Sequence, residues 1–393
     1  MDQNASNATS QRHFSPFDPL KPVARASKVH PANPRQPFRP LPPPIGPAPY
    51  HLSLDNVLPA DQLAAIRQAG RMVFHVIGDT GGVKSPQPQQ IVAMHLVYDL
   101  AIPDPAARPV FFYHLGDVVY FYGEANEYYA QFYEPYQQYN APIFAIPGNH
   151  DGDLAPNAPS NLTSLAAFVE NFCAREPRPS SEAGDSGRDA MTQPNVFWTL
   201  ETPLATIVGL YTNVPEGGEV HSDQVAWLEA ELQNAPKDRC LVLATHHPVY
   251  SLDEYHSGSA TLKAMLDDTF LKVGRVPDLI LAGHVHNYQR FTRVMDRQEV
   301  PYVVAGAGGY WHLHYMSSAL GNPIKVPIPV PDDPNATLES YCDNYHGYLT
   351  LDVTAAQIKG IYTPVPRPQD RWTAKLDPID LFTLDLREHR LAR

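Results

Sequence analysis

Five times along the chain a short apolar run stops at a turn that carries a carboxylate, an amide or a histidine. The runs are "RMVFHVIGD" (71–79), "RPVFFYHLGD" (108–117), "APIFAIPGNHD" (141–151), "CLVLATHHP" (240–248) and "PDLILAGHVH" (277–286). Segments this short, bounded by glycine or proline and rich in β-branched and aromatic residues, are strands and not helices. Their near-continuous apolarity fits strands buried on both faces, as in a largely parallel sheet covered by helices. Where a strand ends in glycine followed by a polar residue, that side chain enters a loop at the carboxyl edge of the sheet, and there α/β folds gather their ligands.

The intervening segments supply the helices. In "EANEYYAQFYEPYQQY" the rings of Tyr128, Tyr129, Phe132, Tyr133 and Tyr136 recur at helical spacing, which favours core packing over a binding surface. "SDQVAWLEAEL" is expected to start at an N-cap on Ser222 and to bury Val225, Leu228 and Leu232. "SATLKAMLDDTFLKVG" is expected to end at Gly274 as its left-handed C-terminal residue. "NVFWTLETPLATIVGLYTN" and "HGYLTLDVTAAQIKGIYT" each suggest paired strands, and the polar stretch 176–195 an exposed insertion. Twelve of the 41 prolines fall in the first 50 residues, so residues 1–66 are expected to form an arm that wraps the domain or stays mobile. Residues 67–365 form the expected catalytic domain, and 366–393 a tail without a placement.

Composition removes several classes. No run of eighteen apolar residues exists, so neither a membrane-spanning helix nor a membrane partner is expected. A formal charge of −13 argues against nucleic acid as a partner, because phosphate contacts need a basic surface. Three scattered cysteines make no disulfide framework. The start, "MDQNASNATSQRHFSP", lacks the apolar stretch of a secretory signal, so the cytoplasm is the default expectation. Oligomeric state is not legible.

Taken singly, each polar cluster has an ordinary explanation: a Gly-Asp pair is usually a turn, and "GNHD" a turn with a side-chain cap. Their joint occurrence, each at a strand end, does not. The ordered set "GDTG", "GDVVY", "GNHD", "THHP" and "GHVH" resembles the metallophosphoesterase superfamily. Within it, Tyr120 in the second motif and "AGHVHNYQR" in the last resemble the purple acid phosphatases, over roughly residues 70–362. The resemblance implies an αββα sandwich, two mixed sheets flanked by helices, with a binuclear metal centre at one edge. It further implies that Asp117 bridges two ions. Asp79, Tyr120 and His286 would complete one site, and Asn149, His246 and His284 the other. His150 would stand beside the substrate, with His256, ten residues after His246, as a second catalytic histidine.

The residue types agree with that chemistry. Carboxylate and phenolate oxygens suit a hard ion such as Fe(III), whereas imidazoles and an amide suit a divalent ion such as Zn, Mn or Fe(II). Two ions about 4 Å apart acidify a water and clamp phosphoryl oxygens during in-line displacement. The expected activity is hydrolysis of a small phosphomonoester at acidic pH. Two alternatives compete. A phosphodiesterase of the same superfamily would carry histidine where Gly81 stands. A non-catalytic module would have lost ligands, and all seven candidates are present. Outside the set, His75 and His114 are expected to be buried and hydrogen-bonded, His247 to point away from the site, and His312 and His314 to border the pocket.

Overall fold

The computed structural model describes residues 41–155, 158–213, 217–321 and 324–392. Two mixed sheets lie face to face. The first has nine strands in the order His51–Ser53, Trp198–Glu201, Ala205–Gly209, Cys240–Ala244, Leu279–Ala282, Gln298–Ala305, Tyr288–Met295, Asp333–Cys342 and Ile328–Val330. The second has seven, in the order Arg390–Leu391, Asp380–Asp385, Gln357–Pro364, Gly347–Thr354, Arg71–Ile77, Pro109–His114 and Ile143–Ala145.

The five motif-bearing strands divide three and two between the sheets. Arg71–Ile77, Pro109–His114 and Ile143–Ala145 run parallel in the smaller sheet. Cys240–Ala244 and Leu279–Ala282 run parallel in the larger. Alternation along each strand explains the layering, since successive side chains point to opposite faces. Phe74, Val76, Phe111, Tyr113, Val242, Ala244 and Leu281 fill the core between the sheets. Ile77 and Phe112 face a second core under the helix Gln87–Asp99, and Leu241, Leu243 and Ile280 a third under the helices Ser222–Asn234 and Ala260–Val273. Being wanted on both faces, these strands have no polar side to show in sequence.

Several expectations hold. Trp198–Glu201 pairs antiparallel with Ala205–Gly209, and Gly347–Thr354 with Gln357–Pro364. The aromatic stripe is core except at Tyr129: Tyr128, Phe132, Tyr133 and Tyr136 are buried around a π-helical turn continued by one α-helical turn, whereas Tyr129 is partly exposed and its hydroxyl donates to Asp185. Gly274 ends its helix at φ 70°.

Others need correction. The N-cap of Ser222–Asn234 is His221, whose ring accepts from the Asp223 N–H, so Ser222 is already helical; Leu228 and Leu232 are buried, and Val225 only partly. The insertion 176–195 is mostly at the surface, but Gln193 is buried and bonds both the N–H and the carbonyl of Ala145. The arm boundary at 66 is wrong. His51–Ser53 adds a parallel strand to the larger sheet, and Ala60–Ala69 is a helix burying Leu63 and Ile66. Leu and Ile at a helical spacing of three repay their burial whatever proline-rich sequence precedes them. The rest of the expected arm, residues 1–40, lies outside the described residues. The tail boundary at 365 is likewise wrong, because Asp380–Asp385 and Arg390–Leu391 extend the smaller sheet. Asp380 is fixed there by Arg290 at 2.6 and 3.0 Å and by the Tyr288 hydroxyl at 2.7 Å.

Candidate metal centre

The parallel strands Arg71–Ile77 and Pro109–His114 release Asp79 and Asp117 side by side, with the Asp79 N–H donating to the Gly116 carbonyl at 2.9 Å. Both aspartates are buried and both take a left-handed backbone, φ 58° and 55°. His284 does the same at φ 69°. Such a conformation costs a residue with a side chain roughly 1–2 kcal/mol. Three departures of this kind at the end of motif strands mark a site where aiming the side chain outweighs local comfort.

Around Asp117 gather the first group of donors. Its Oδ2 lies 3.4 Å from His246 Nε2, and Asn149 Oδ1 lies 3.1 Å from His246 Nε2 and 3.0 Å from His284 Nδ1. One ligand atom from each of Asp117, His246 and His284 falls within 4.8 Å of the others. His246 Nδ1–H donates to the Leu115 carbonyl at 2.8 Å, which turns Nε2 toward the group. Around Asp79 gather the second: its Oδ1 stands 3.3 Å from the Tyr120 hydroxyl and 3.6 Å from His286 Nε2, and Tyr120 lies 3.3 Å from that same nitrogen. The His284 N–H donates to Asp79 Oδ2 at 2.8 Å, tying the groups together. All seven residues expected to be ligands are therefore brought to one edge of the sandwich.

The electrostatics suit cations. Burial, and then the neighbouring Asp117, push the Asp79 carboxyl well above the carboxylate range despite His246. Burial and the same two aspartates hold the Tyr120 phenol well above its ordinary value. Burial also works against the charge on Asp117, but His246 and His150 outweigh it and hold that carboxyl down. Burial opposes the charge on His246, yet Asp117 lifts it to about 9. Ionising both carboxylates and the phenol in this buried group would leave it short of positive charge, and hard cations answer that shortage. The donor set fits a pair of metal ions.

The two histidines expected beside the substrate are also here. His150 donates from its N–H to Asp117 Oδ1 at 2.9 Å, and its Nδ1 faces the Phe121 carbonyl at 2.9 Å. Its ring packs 4.7 Å from that of Tyr120. His256 lies 4.7 Å, ring to ring, from His284, with burial the main cause of a pKa lowered to about 4. His75 and His114 are buried and bonded to Tyr139 and Thr80. His247 does not point away: its ring lies 4.4 Å from that of His284 while Nδ1 meets Thr212. His314 packs 4.3 Å from His286.

Sequence reasoning missed three supports. Asp151 accepts the N–H groups of Gly148, Val118 and Val119, lashing the Asp117 turn to the Asn149 turn. Burial first, then Asp117, raise it to about 7. The fourth place in "GNHD" was its only signal. Asp253 and Tyr310 had none, because the rings they meet, His314 for Asp253 and Tyr120 for Tyr310, lie far away in sequence.

Known families match this arrangement. The model of the calcineurin-like phosphoesterase family matches residues 72–288, more than half of the chain and all five motifs. The chain belongs to the calcineurin-like phosphoesterase family. Within this phosphoesterase family, its relatives include purple acid phosphatases. One, the Fe(3+)-Zn(2+) purple acid phosphatase 12 of Arabidopsis thaliana, is 37% identical over 152 residues, 38% of this chain and 29% of that protein. The tartrate-resistant acid phosphatase type 5 of Oryctolagus cuniculus is 27% identical over 259 residues, 60% of this chain and 73% of that one. The alignments span well under half of the plant relatives' length. In fold, a purple acid phosphatase from yellow lupin (Lupinus luteus) seeds superposes with a TM-score of 0.55 at 17% identity, covering 81% of this chain and 55% of that one.

Proposed function

We propose that the chain is a binuclear metal-dependent phosphatase that hydrolyses phosphomonoesters at acidic pH. Asp79, Tyr120 and His286 hold Fe(III), Asn149, His246 and His284 hold a divalent ion (Zn, Mn or Fe(II)), and Asp117 serves both. The observation that carries the reading is the convergence at one edge of two donor groups of different chemistry, Asp79 with Tyr120 and His286, and Asp117 with Asn149, His246 and His284, joined by the His284 N–H on Asp79. The purple acid phosphatase relatives, one with iron and zinc in its name, support it.

Two cations so held supply Lewis acidity, which lowers the pKa of water and neutralises phosphoryl charge. The chain's own residues do the rest. The Phe121 carbonyl takes the His150 Nδ1–H, leaving Nε2 to hand a proton to the departing alkoxide. His256 packs against His284, one of the residues grouped around Asp117. The left-handed turns at Asp79, Asp117 and His284 fix the ligands before substrate arrives.

Elemental analysis of the purified chain, paired with activity on a phosphomonoester and a phosphodiester over pH 4–9, tests this. Two metals per chain and monoester hydrolysis below neutrality are expected. Hydrolysis of the diester alone, activity only above neutrality, or a metal-free inactive protein would each overturn it.

A further inference from the structure

Tyr120 brings its hydroxyl to Asp79 and His286 from a turn that belongs to no helix or strand. A buried backbone in such a place still needs partners, because an unmet N–H or carbonyl costs as much as a lost hydrogen bond. One side chain supplies both. The Gln131 amide accepts the Tyr120 N–H at 2.9 Å and donates to the Tyr120 carbonyl at 3.1 Å. Gln131 is buried and sits on the π-helical turn Tyr129–Tyr133, a geometry that concentrates at functional sites.

The orientation of that amide is itself fixed, since its nitrogen also donates to Glu127 at 2.9 Å. A second buried glutamine continues the connection. Gln89, in the helix Gln87–Asp99, donates from Nε2 to the Gln131 carbonyl, and its Oε1 accepts the Gly82 N–H at 3.0 Å. Gly82 belongs to the turn that carries Asp79. Two glutamines from separate elements therefore bridge the Asp79 turn to the Tyr120 turn and set the spacing of two donors in one group. The fit is tight on the far side too: a methyl group on Gly81 would meet Gln131 Oε1 and the Tyr120 ring, whose Cδ2 would lie 2.6 Å away. Packing alone does not ask for this. An apolar side chain of equal length would fill the same space, whereas a carboxamide offers an acceptor and a donor side by side to the backbone of one residue.

We propose that Gln131, backed by Gln89, is a positioning residue that holds the Tyr120 phenolate at the ion it shares with Asp79 and His286. The assignment rests on the reading of those three as ligands of one ion. It adds a residue that touches neither metal nor substrate and acts through Tyr120.

The colour of the iron-loaded chain tests this apart from activity. A phenolate on Fe(III) gives a visible charge-transfer band, so absorbance per bound iron reports the share of molecules with Tyr120 on the metal. Gln131→Met keeps the side-chain length and removes both hydrogen bonds. Since each hydrogen bond lost moves an equilibrium about fivefold, the band should fall about twofold or more at unchanged iron content. Gln193→Met is the matched control: that buried glutamine cradles the Ala145 N–H and carbonyl in the same way, at 2.7 and 2.8 Å, on the strand that leads to Asn149. It should melt lower to a similar degree and keep the full band. Should Gln131→Met lose its fold or its iron, Gly81→Ala decides, because its methyl pushes on the same two groups and should weaken the band with iron retained. A band unchanged in Gln131→Met or in Gly81→Ala, or an equal loss in Gln193→Met, would overturn the proposal and leave the phosphatase reading standing. An iron-loaded parent chain without the band would remove the assignment of iron to Tyr120, and this inference with it.

Discussion

Gly148 offers a sharp probe of the centre. It precedes Asn149 with φ −92° and ψ −172°, a backbone that alanine adopts without strain. A methyl group added there would nevertheless meet Asp117 Oδ1 at 2.1 Å, the Asp117 nitrogen at 2.4 Å and His246 Cε1 at 2.7 Å. Ordinary contact needs about 3.5 Å, so something must move by about an ångström. Asp117 cannot simply rotate away, because its own backbone is among the atoms struck. Overpacking of this kind costs about 1–3 kcal/mol, and an ångström of misplacement among reacting groups costs roughly a hundredfold in rate. Gly148→Ala should therefore lose bound metal and about a hundredfold in kcat/KM, with a fall of only a few degrees in Tm. Gly274→Ala is the matched control: its φ of 70° strains alanine by ~1 kcal/mol, but the new methyl meets nothing within 4 Å. It should lower Tm by about 2 °C and leave metal content and activity as they were. The reasoning fails if Gly148→Ala keeps its metals and its rate, or if Gly274→Ala loses them equally.

Three further outcomes follow from single contacts. The iron-loaded chain should be pink to violet, and Tyr120→Phe should abolish the visible band while Asp79, Asp117 and His286 retain iron, as absorption spectra with iron analysis would show. His51 sits 2.8 Å from the buried Glu231 and 3.1 Å from Glu201; the hydrogen bond to Glu231, opposed by partial burial, raises its pKa. A raised folded pKa stabilises below the unfolded value of about 6.5 and the gain is lost as pH climbs through the folded value. Urea midpoints should accordingly decline above about pH 6.5 in the parent, and His51→Gln should flatten that decline by ~1 kcal/mol after allowance for solvent screening. Asp380→Ala should cost about 3 kcal/mol in urea unfolding, because it strands Arg290, a largely buried cation, without its partner.

What the sequence revealed was set by distance along the chain. Each motif is a strand and its own exit turn, so glycine, ligand and apolar run are neighbours and their pattern is local. That sufficed for the layered architecture and for the seven side chains that the fold gathers at one edge. The arm and tail were misjudged for the converse reason. His51–Ser53 is a strand because of the edge offered by Trp198–Glu201, far along the chain, and Asp380–Asp385 because of the edge of Gln357–Pro364, reached across a loop that carries three prolines. Proline-rich surroundings then governed the local signal.

The supports of the site illustrate the same limit in finer detail. Asp253 lies 61 positions from His314, the ring it steadies, and Gly148 needs to be glycine only because Asp117 and His246 arrive from two other strands. Ligand identity is written next to the strand that delivers it, but ligand placement is written in residues that those strands happen to meet. A chain could therefore keep every motif and still lose the metals through a single methyl group at position 148.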